Sequence, residues 1–296
     1  MVNTDISRLT AAHLDHRRMW KEFDYCYPVI SRRSRGLSLG VNLNPKKECN
    51  FRCVYCEVDQ QKSSRCGKVD INHLENEMKT LLELAMSKKI FEIHPFSAVS
   101  TEIQRINDIA FSGDGEPTLA IEFSSAVQRL AGLKSALGLS DVKMVLITNA
   151  TNLQDSNVIK GIDTMMANNG EIWAKLDAGT PDYYHKINRS RVELETIIEN
   201  LIFAGNRWPL TLQTLFLEWE GCPPSNTELR HYINRLKTII DHGAQIKCLH
   251  VYTIARTTPE KKAKALSNAT LDQLASDIAK EFPELSIENF YGQSQT

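Results

Sequence analysis

The sequence predicts an α/β protein built as an open, partial (β/α)6 TIM-like barrel with an N-terminal helical extension. Three observations lead there. Short apolar runs alternate with amphipathic helical stretches six times along the 296 residues. Such alternation argues for a parallel sheet covered by helices on its outer face. The count stops at six, whereas about eight units close a full barrel. Finally, the glycine-rich and charged segments fall directly after the apolar runs, at strand ends where barrels of this kind carry their chemistry.

Each unit rests on its own pattern. The first strand is expected over 37–43, just before a cysteine-rich loop. A helix over 71–88 follows from the stripe Leu74, Met78, Leu81, Leu82 and Ala85, spaced as one helical face. The second strand, 108–112, runs into Gly113-Asp114-Gly115-Glu116-Pro117 and a helix over 122–137. The third, 142–148, is closed by Asn149 and followed by a helix over 156–167. The fourth, 171–177, precedes a helix over 193–204. The fifth, 210–217, ends in a loop rich in Glu, Gly and Pro before a helix over 227–241. The sixth, 246–254, precedes a last helix over 271–281.

Composition narrows the class. With 42% hydrophobic and 24% charged residues, the chain can bury a large core. No apolar run approaches the ~18 residues that span a bilayer. The chain opens Met1-Val2-Asn3-Thr4-Asp5, without a basic-then-apolar leader, so a reducing, cytoplasmic setting is expected. A formal net charge of -1 gives no global attraction to nucleic acid. No linker or repeat divides the sequence. One domain over 31–296, behind an extension over 1–30, is the simplest organisation; the stretch 6–23 reads as an amphipathic helix capping the barrel.

Cys49, Cys53 and Cys56 form the segment Cys49-Asn50-Phe51-Arg52-Cys53-Val54-Tyr55-Cys56. Iron–sulfur clusters are held by cysteine thiolates, and a four-iron cluster ordinarily takes about four of them. Three in one tight loop would leave one iron open to a ligand. Zinc is the other metal for clustered cysteines, but it wants four ligands, and His73 and His94 stand at no zinc-finger spacing.

The spacing Cys-x3-Cys-x2-Cys, with an aromatic before the last cysteine, resembles the cluster loop of the radical S-adenosylmethionine (SAM) superfamily. The resemblance implies a [4Fe-4S] cluster on Cys49, Cys53 and Cys56, with Tyr55 near the SAM adenine. Gly113, Asp114, Gly115 and Glu116 are similar to the superfamily's Gly-Gly-Glu element, which binds the SAM amino group, although Asp114 stands where many members have glycine. Thr148 and Asn149 resemble the Thr-Asn that supports SAM. Lys175 and Asp177 resemble a Lys-x-Asp element at the methionine carboxylate or ribose, roles that suit a cation and an acceptor. Tyr252, Thr253 and Ile254 look like the sixth-strand segment against the adenine. For these strand-end residues, turn formation, solvation or core packing is the bland alternative.

One branch resembles more of the chain. Ser31-Arg32-Arg33 with Ser38-Leu39-Gly40, Lys175-Leu176-Asp177-Ala178, Ile187-Asn188-Arg189 and Tyr252-Thr253 are similar to a group of bacterial and archaeal iron–sulfur oxidoreductases distantly related to the tRNA wyosine-base synthases. Together these segments cover about 31–256. The resemblance implies reductive cleavage of SAM to a 5′-deoxyadenosyl radical that abstracts hydrogen from a substrate. It also implies an electron donor such as flavodoxin or ferredoxin. A small metabolite or nucleoside is the favoured substrate. A tRNA-modifying enzyme is the alternative, followed by a non-catalytic iron–sulfur or zinc protein.

Cys26, Cys66, Cys222 and Cys248 share no cluster spacing. Cys248 reads as a core residue within a strand, and Cys66 as a structural thiol past the cluster loop. Cys222, at a strand's C-terminal end, is a candidate hydrogen-atom donor or else a buried loop thiol. Arg32, Arg33 and Arg35, and Lys46 and Lys47 ahead of the cysteines, are either contacts for a phosphate-bearing substrate or ion-paired scaffolding.

Overall fold

In the computed structural model, residue 20 and residues 22–58, 68–256 and 258–292 are described. The expected helix over 6–23 falls almost wholly outside them, as does Cys66. The chain first forms β1 (Cys26–Ser31) and β2 (Gly36–Val41), followed by the cysteine loop and α1 (Ile71–Met86). Then come β3 (Ile106–Phe111), α2 (Phe123–Ala136), β4 (Lys143–Thr148), α3 (Ser156–Met166) and β5 (Gly170–Lys175). Two helices, α4 (Pro181–Asn188) and α5 (Leu194–Arg207), precede β6 (Leu210–Leu215) and the short β7 (Glu218–Trp219). The chain closes with α6 (Asn226–Asp241), β8 (Ile246–Tyr252), β9 (Ala263–Lys264), α7 (Asn268–Glu281) and β10 (Ile287–Phe290).

The main sheet holds eight strands in the order β1-β2-β3-β4-β5-β6-β8-β10, and β7 and β9 form a separate ribbon. All neighbours in it are parallel except β1, which runs antiparallel to β2. The six expected strands are β2, β3, β4, β5, β6 and β8, and the partial barrel is the fold observed. Two edge strands extend it. β1 overlaps the expected N-terminal extension, so a boundary at residue 30 falls inside a strand. β10 is only four residues long, too short to announce itself by alternation.

Helix starts follow capping chemistry. Asp70 accepts from the amides of Asn72 and His73 at the head of α1, and Asp155 does the same for Asn157 and Val158 at α3. Thr180 caps α4, with Pro181 at the first helical position. Ser225 and Ser267 cap α6 and α7. The helices cover the convex face of the sheet, where Ile109, Phe111, Leu146, Leu212, Leu249 and their helical partners form one continuous core. The concave face differs: Ala110, Val145 and Trp173 make a small apolar floor among polar residues. β2 and β6 are buried along their whole length, as expected of strands covered on both faces.

Candidate functional site

The cysteine loop leaves β2 and is clamped from three sides by hydrogen bonds. From β3, the Glu116 amide donates to the Glu48 carbonyl at 2.9 Å, and Asn44 Nδ2 donates to the Glu116 carbonyl at 2.7 Å. From β4, Asn149 Nδ2 reaches Asn50 Oδ1 at 2.7 Å, and Asn50 Nδ2 reaches Thr151 at 2.8 Å. From the end of α4, the amides of Arg52 and Val54 donate to the carbonyls of Asn188 and Ile187, each at 2.9 Å. Donors also approach the sulfurs. The Phe51 amide and Asn149 Nδ2 lie 3.4 and 3.8 Å from Cys49 Sγ, and Asn188 Nδ2 lies 3.6 Å from Cys53 Sγ.

The turn after β3 explains its glycines. A Cβ at Gly115 would stand 2.1 Å from the Glu48 carbonyl oxygen, so only glycine lets the lead-in to Cys49 lie across it. Gly113 sits at φ +142° against Asn42, another conformation that favours glycine. Asn42 in turn donates to Asp114 at 3.0 Å. Glu116 is 3% exposed. Its Oε1 accepts from the Thr118 amide at 3.2 Å, the Thr118 hydroxyl at 2.7 Å and the Thr148 hydroxyl at 2.6 Å. Its Oε2 accepts from the Asn149 amide at 2.7 Å. Burial raises its pKa, against the pull of these donors. A carboxylate offers about four acceptor positions, so Oε2 keeps room for a further donor.

The ends of β5 and β8 meet over Tyr55. Lys175 Nζ lies 3.2 Å from the Tyr55 hydroxyl and 3.3 Å from that of Tyr252. Burial lowers the Lys175 pKa, but the neighbouring Tyr252 and Asp177 outweigh it and hold the ammonium above its ordinary value. The Tyr55 hydroxyl donates to Asp177 Oδ2, which also accepts from Asn188 Nδ2 at 2.8 Å. Asp177 Oδ1 accepts from the Leu215 amide at 3.0 Å. Burial drives the Cys53 thiol up to about 12, and Cys49 also rises through burial.

The cysteine loop and these strand ends border a cavity of about 820 Å³. Its wall includes the three cysteines, Tyr55, residues 113–116, Thr148, Asn149, Lys175 and residues 252–254. Two expected site residues lie elsewhere. Asp177 is outside the wall, because its oxygens are taken up by Tyr55, Asn188 and the β6 backbone. Cys222 is exposed rather than a buried loop thiol, at the end of the tight turn that begins with β7, and does not border the cavity. Cys248 is buried in β8, as expected of a core residue. Among residues the sequence did not single out as candidates, Asn188, Gln213 and the Arg256–Glu57 pair (2.7 Å) join the site. Ile187-Asn188-Arg189 stood out only as a similar segment. Arg189 at φ +47° ends α4 there, with the Asn188 amide directed at Cys53 and Asp177.

The donor set suits a thiolate-ligated cluster. Three thiols share one loop and face one cavity, donors approach two of the sulfurs, and no other described cysteine or histidine lines the wall. Ligation would require the metal's own charge to deprotonate the buried thiols. A single zinc is a poorer fit. Sulfurs sharing one zinc stand about 3.8 Å apart at Zn–S ≈ 2.3 Å. The described groups whose ligand atoms all converge within 4.8 Å are Cys248, His250 and Glu288, and Asp24, His73 and Glu77; the triad is not among them.

No family model matches the chain. Among curated proteins it is 24% identical to the GTPase Obg of Brachyspira hyodysenteriae, over 83% of this chain and 32% of that one. It thus spans about a third of that relative. It is 25% identical to a UPF0026 protein of Synechocystis, over 87% of this chain and 93% of that one. Among solved structures, TYW1 with a lysine-pyruvate adduct bound aligns at a TM-score of 0.55 and 14% identity, covering 83% of this chain and 74% of that one. The likeness is one of fold, and the resemblance read from the motifs holds at that level.

Proposed function

We propose that this chain is a radical SAM enzyme acting on a small metabolite or nucleoside. The observation that carries the proposal is the convergence of three cysteines, without a fourth among the described residues, with the ends of β3, β4, β5 and β8 on one cavity. Cys49, Cys53 and Cys56 would hold a [4Fe-4S] cluster, and the cavity beside it would take SAM. Bound there, the pair would supply one-electron cleavage of SAM and radical chemistry on the substrate.

The chain's own residues position these groups. Lys175 offers its ammonium to a carboxylate, steadied by the hydroxyls of Tyr55 and Tyr252. Glu116 offers the open side of Oε2 to an ammonium while fixing Thr148 and Asn149 behind it. Residues 252–254 furnish strand-end wall for a flat base. Asp177 acts indirectly, holding Tyr55 in place. Asn149 and Asn188 direct amide hydrogens toward cysteine sulfurs, contacts that would tune the potential of a bound cluster.

Anaerobic reconstitution tests the proposal. The expected result is about four irons per chain, a spectrum of the reduced cluster that changes on adding SAM, and SAM cleavage on reduction. One zinc per chain, or a reduced spectrum indifferent to SAM, would overturn it.

A further inference from the structure

The cavity extends well past the cysteine end. Its volume of about 820 Å³ lies high in the range of roughly 300–1,000 Å³ that houses single small ligands. Its wall also takes in Arg33, Asp108, Trp173 and Gln213 on the concave face. The charges there are unevenly matched. Arg256 is paired with Glu57, and Arg189 with Glu260 at 3.0 Å. Asp108 accepts from the Ser38 hydroxyl.

Arg33 is different. Its guanidinium carbon lies 5.3 Å from the ring centroids of both Trp173 and Tyr252, within cation–π range of each. It is half-buried, and among the described residues no carboxylate or hydrogen-bond acceptor is paired with it. Arg32 stands beside it in the same turn, and its guanidinium donates to the Tyr291 carbonyl. Burial, Arg33 and Arg256 together pull the Arg32 pKa down to about 10, a sign of how closely the cations gather.

A second, independent observation lies deeper. Gln213 on β6 is fully buried and borders the same cavity. Neither its Nε2 nor its Oε1 has a partner. It sits in register between Lys175 on β5 and His250 on β8, on the concave face. Buried side-chain amides are normally bonded on both sides. A free cation and a free amide along one wall are complementary to a ligand carrying a negative group and an adjacent donor and acceptor.

We propose that this inner chamber recognises a small anionic substrate, its carboxylate or phosphate bound by Arg33 and its polar backbone reaching toward Gln213. Arg33 is suited to the task because a planar guanidinium pairs with either oxyanion through two parallel bonds. The assignment rests on the radical SAM reading for the chemistry that follows, but not for anion binding itself.

The test uses the reconstituted full chain with SAM present. Inorganic phosphate, glycerol phosphate and glutarate are titrated, with glycerol as neutral control, following tryptophan emission and heat of binding. Trp173 lies against Arg33, so its signal should report occupancy, and Trp173→Phe should remove that signal. The expected result is saturable binding of at least one anion and none of glycerol. Arg33→Gln should weaken that binding at least tenfold, and Arg33→Lys should restore it only in part. Whether the phosphates or glutarate binds more tightly identifies the source of the negative group. Iron content and melting temperature on the same samples establish that the variants fold, and Gln213→Leu provides a second probe that removes no charge. Anion binding unchanged by Arg33→Gln, binding of glycerol equal to that of the anions, or binding of tRNA without any small anion would overturn the proposal. If Arg33-dependent anion binding persists in a chain that takes up no iron and cleaves no SAM, the anion site stands and the enzyme class falls.

Discussion

At the scale of single residues, the site separates side chains that would hold a ligand from those that hold other side chains. Replacing Cys49, Cys53 or Cys56 by alanine should abolish the brown chromophore and iron of the reconstituted protein, since each supplies one thiolate. Cys222→Ala should leave both intact, because that thiol is exposed and outside the cavity. Absorbance and iron assay decide the matter; iron lost on changing Cys222 would show a misplaced ligand. Glu116 has both jobs. In Glu116→Gln, an amide group must face either the Asn149 amide or the donors around Oε1. Charge-assisted bonds contribute about 1.5–3 kcal/mol each, so SAM binding should weaken roughly 10- to 150-fold. Thermal stability of the metal-free chain should fall as well. Unchanged SAM affinity in titration would reduce Glu116 to a brace for β4.

At the scale of elements, two backbone junctions decide whether the site assembles. One is the crossing of the β3 turn by the cysteine lead-in. In Gly115→Ala the new Cβ would meet the Glu48 carbonyl oxygen at 2.1 Å, and neither backbone can yield without moving the loop. Iron loading should drop sharply while the helical circular dichroism is kept; full loading would show that the crossing is not required. The other junction ties α1 to β1. Glu77 is 4% exposed and accepts from the amides of Asp24, Tyr25 and Cys26 at 2.7, 2.9 and 2.9 Å. Glu77→Ala would leave three amides without that acceptor, at a cost of about 3 kcal/mol or more in denaturant unfolding. The sequence held a hint of this. Glu77 follows Leu74 by three and precedes Leu81 by four, which places it on the buried stripe of α1 rather than its wet face.

At the scale of the whole molecule, the open sheet is tied across its mouth and braced beneath. Arg32, in the turn between β1 and β2, bonds the Tyr291 carbonyl just past β10, joining the two edge strands. Lower on the concave face, His250 packs between Trp173 and Phe290, with ring centroids 5.2 and 5.1 Å away. Burial lowers its pKa to about 3, and Arg33 adds to the effect. Glu171 lies nearby and pairs with Lys143 at 2.8 Å and Lys247 at 2.7 Å. Although burial opposes it, those lysines hold its pKa at about 2. Both groups take up protons more readily when unfolded, so acid favours the unfolded state. The His250 contribution is present above about pH 6.5 and is lost as pH falls toward 3, with a slope of up to ~1.4 kcal/mol per pH unit. The Glu171 contribution is lost between about 4.3 and 2. Unfolding free energies measured from pH 7 to 5 should decline, and His250→Phe should flatten that decline. An unchanged slope in the variant would mean that other groups carry the acid sensitivity.

The sequence by itself determined the parts that depend on local spacing. Six strand–helix units and the cysteine triad follow from periodicity and ligand spacing, each written within a few residues. Tertiary structure decided the rest. Strand β1 carries no signal of its own beyond its pairing with β2, and β10 is too short to show a period. Asp177 looked like a ligand contact because Lys175-Leu176-Asp177 resembles a Lys-x-Asp element, yet the fold turns its carboxylate onto Tyr55 and Asn188. Cys222 looked poised for chemistry at a strand end, but the ribbon of β7 and β9 carries it outward. Asn188 reaches Cys53 and Asp177 from α4, and only the curl of the sheet brings Gln213 on β6 and Arg33 in the first hairpin to one cavity. Local patterns encode which backbone forms. Which side chains share a space depends on contacts between residues far apart in the chain, and no spacing along the sequence records them.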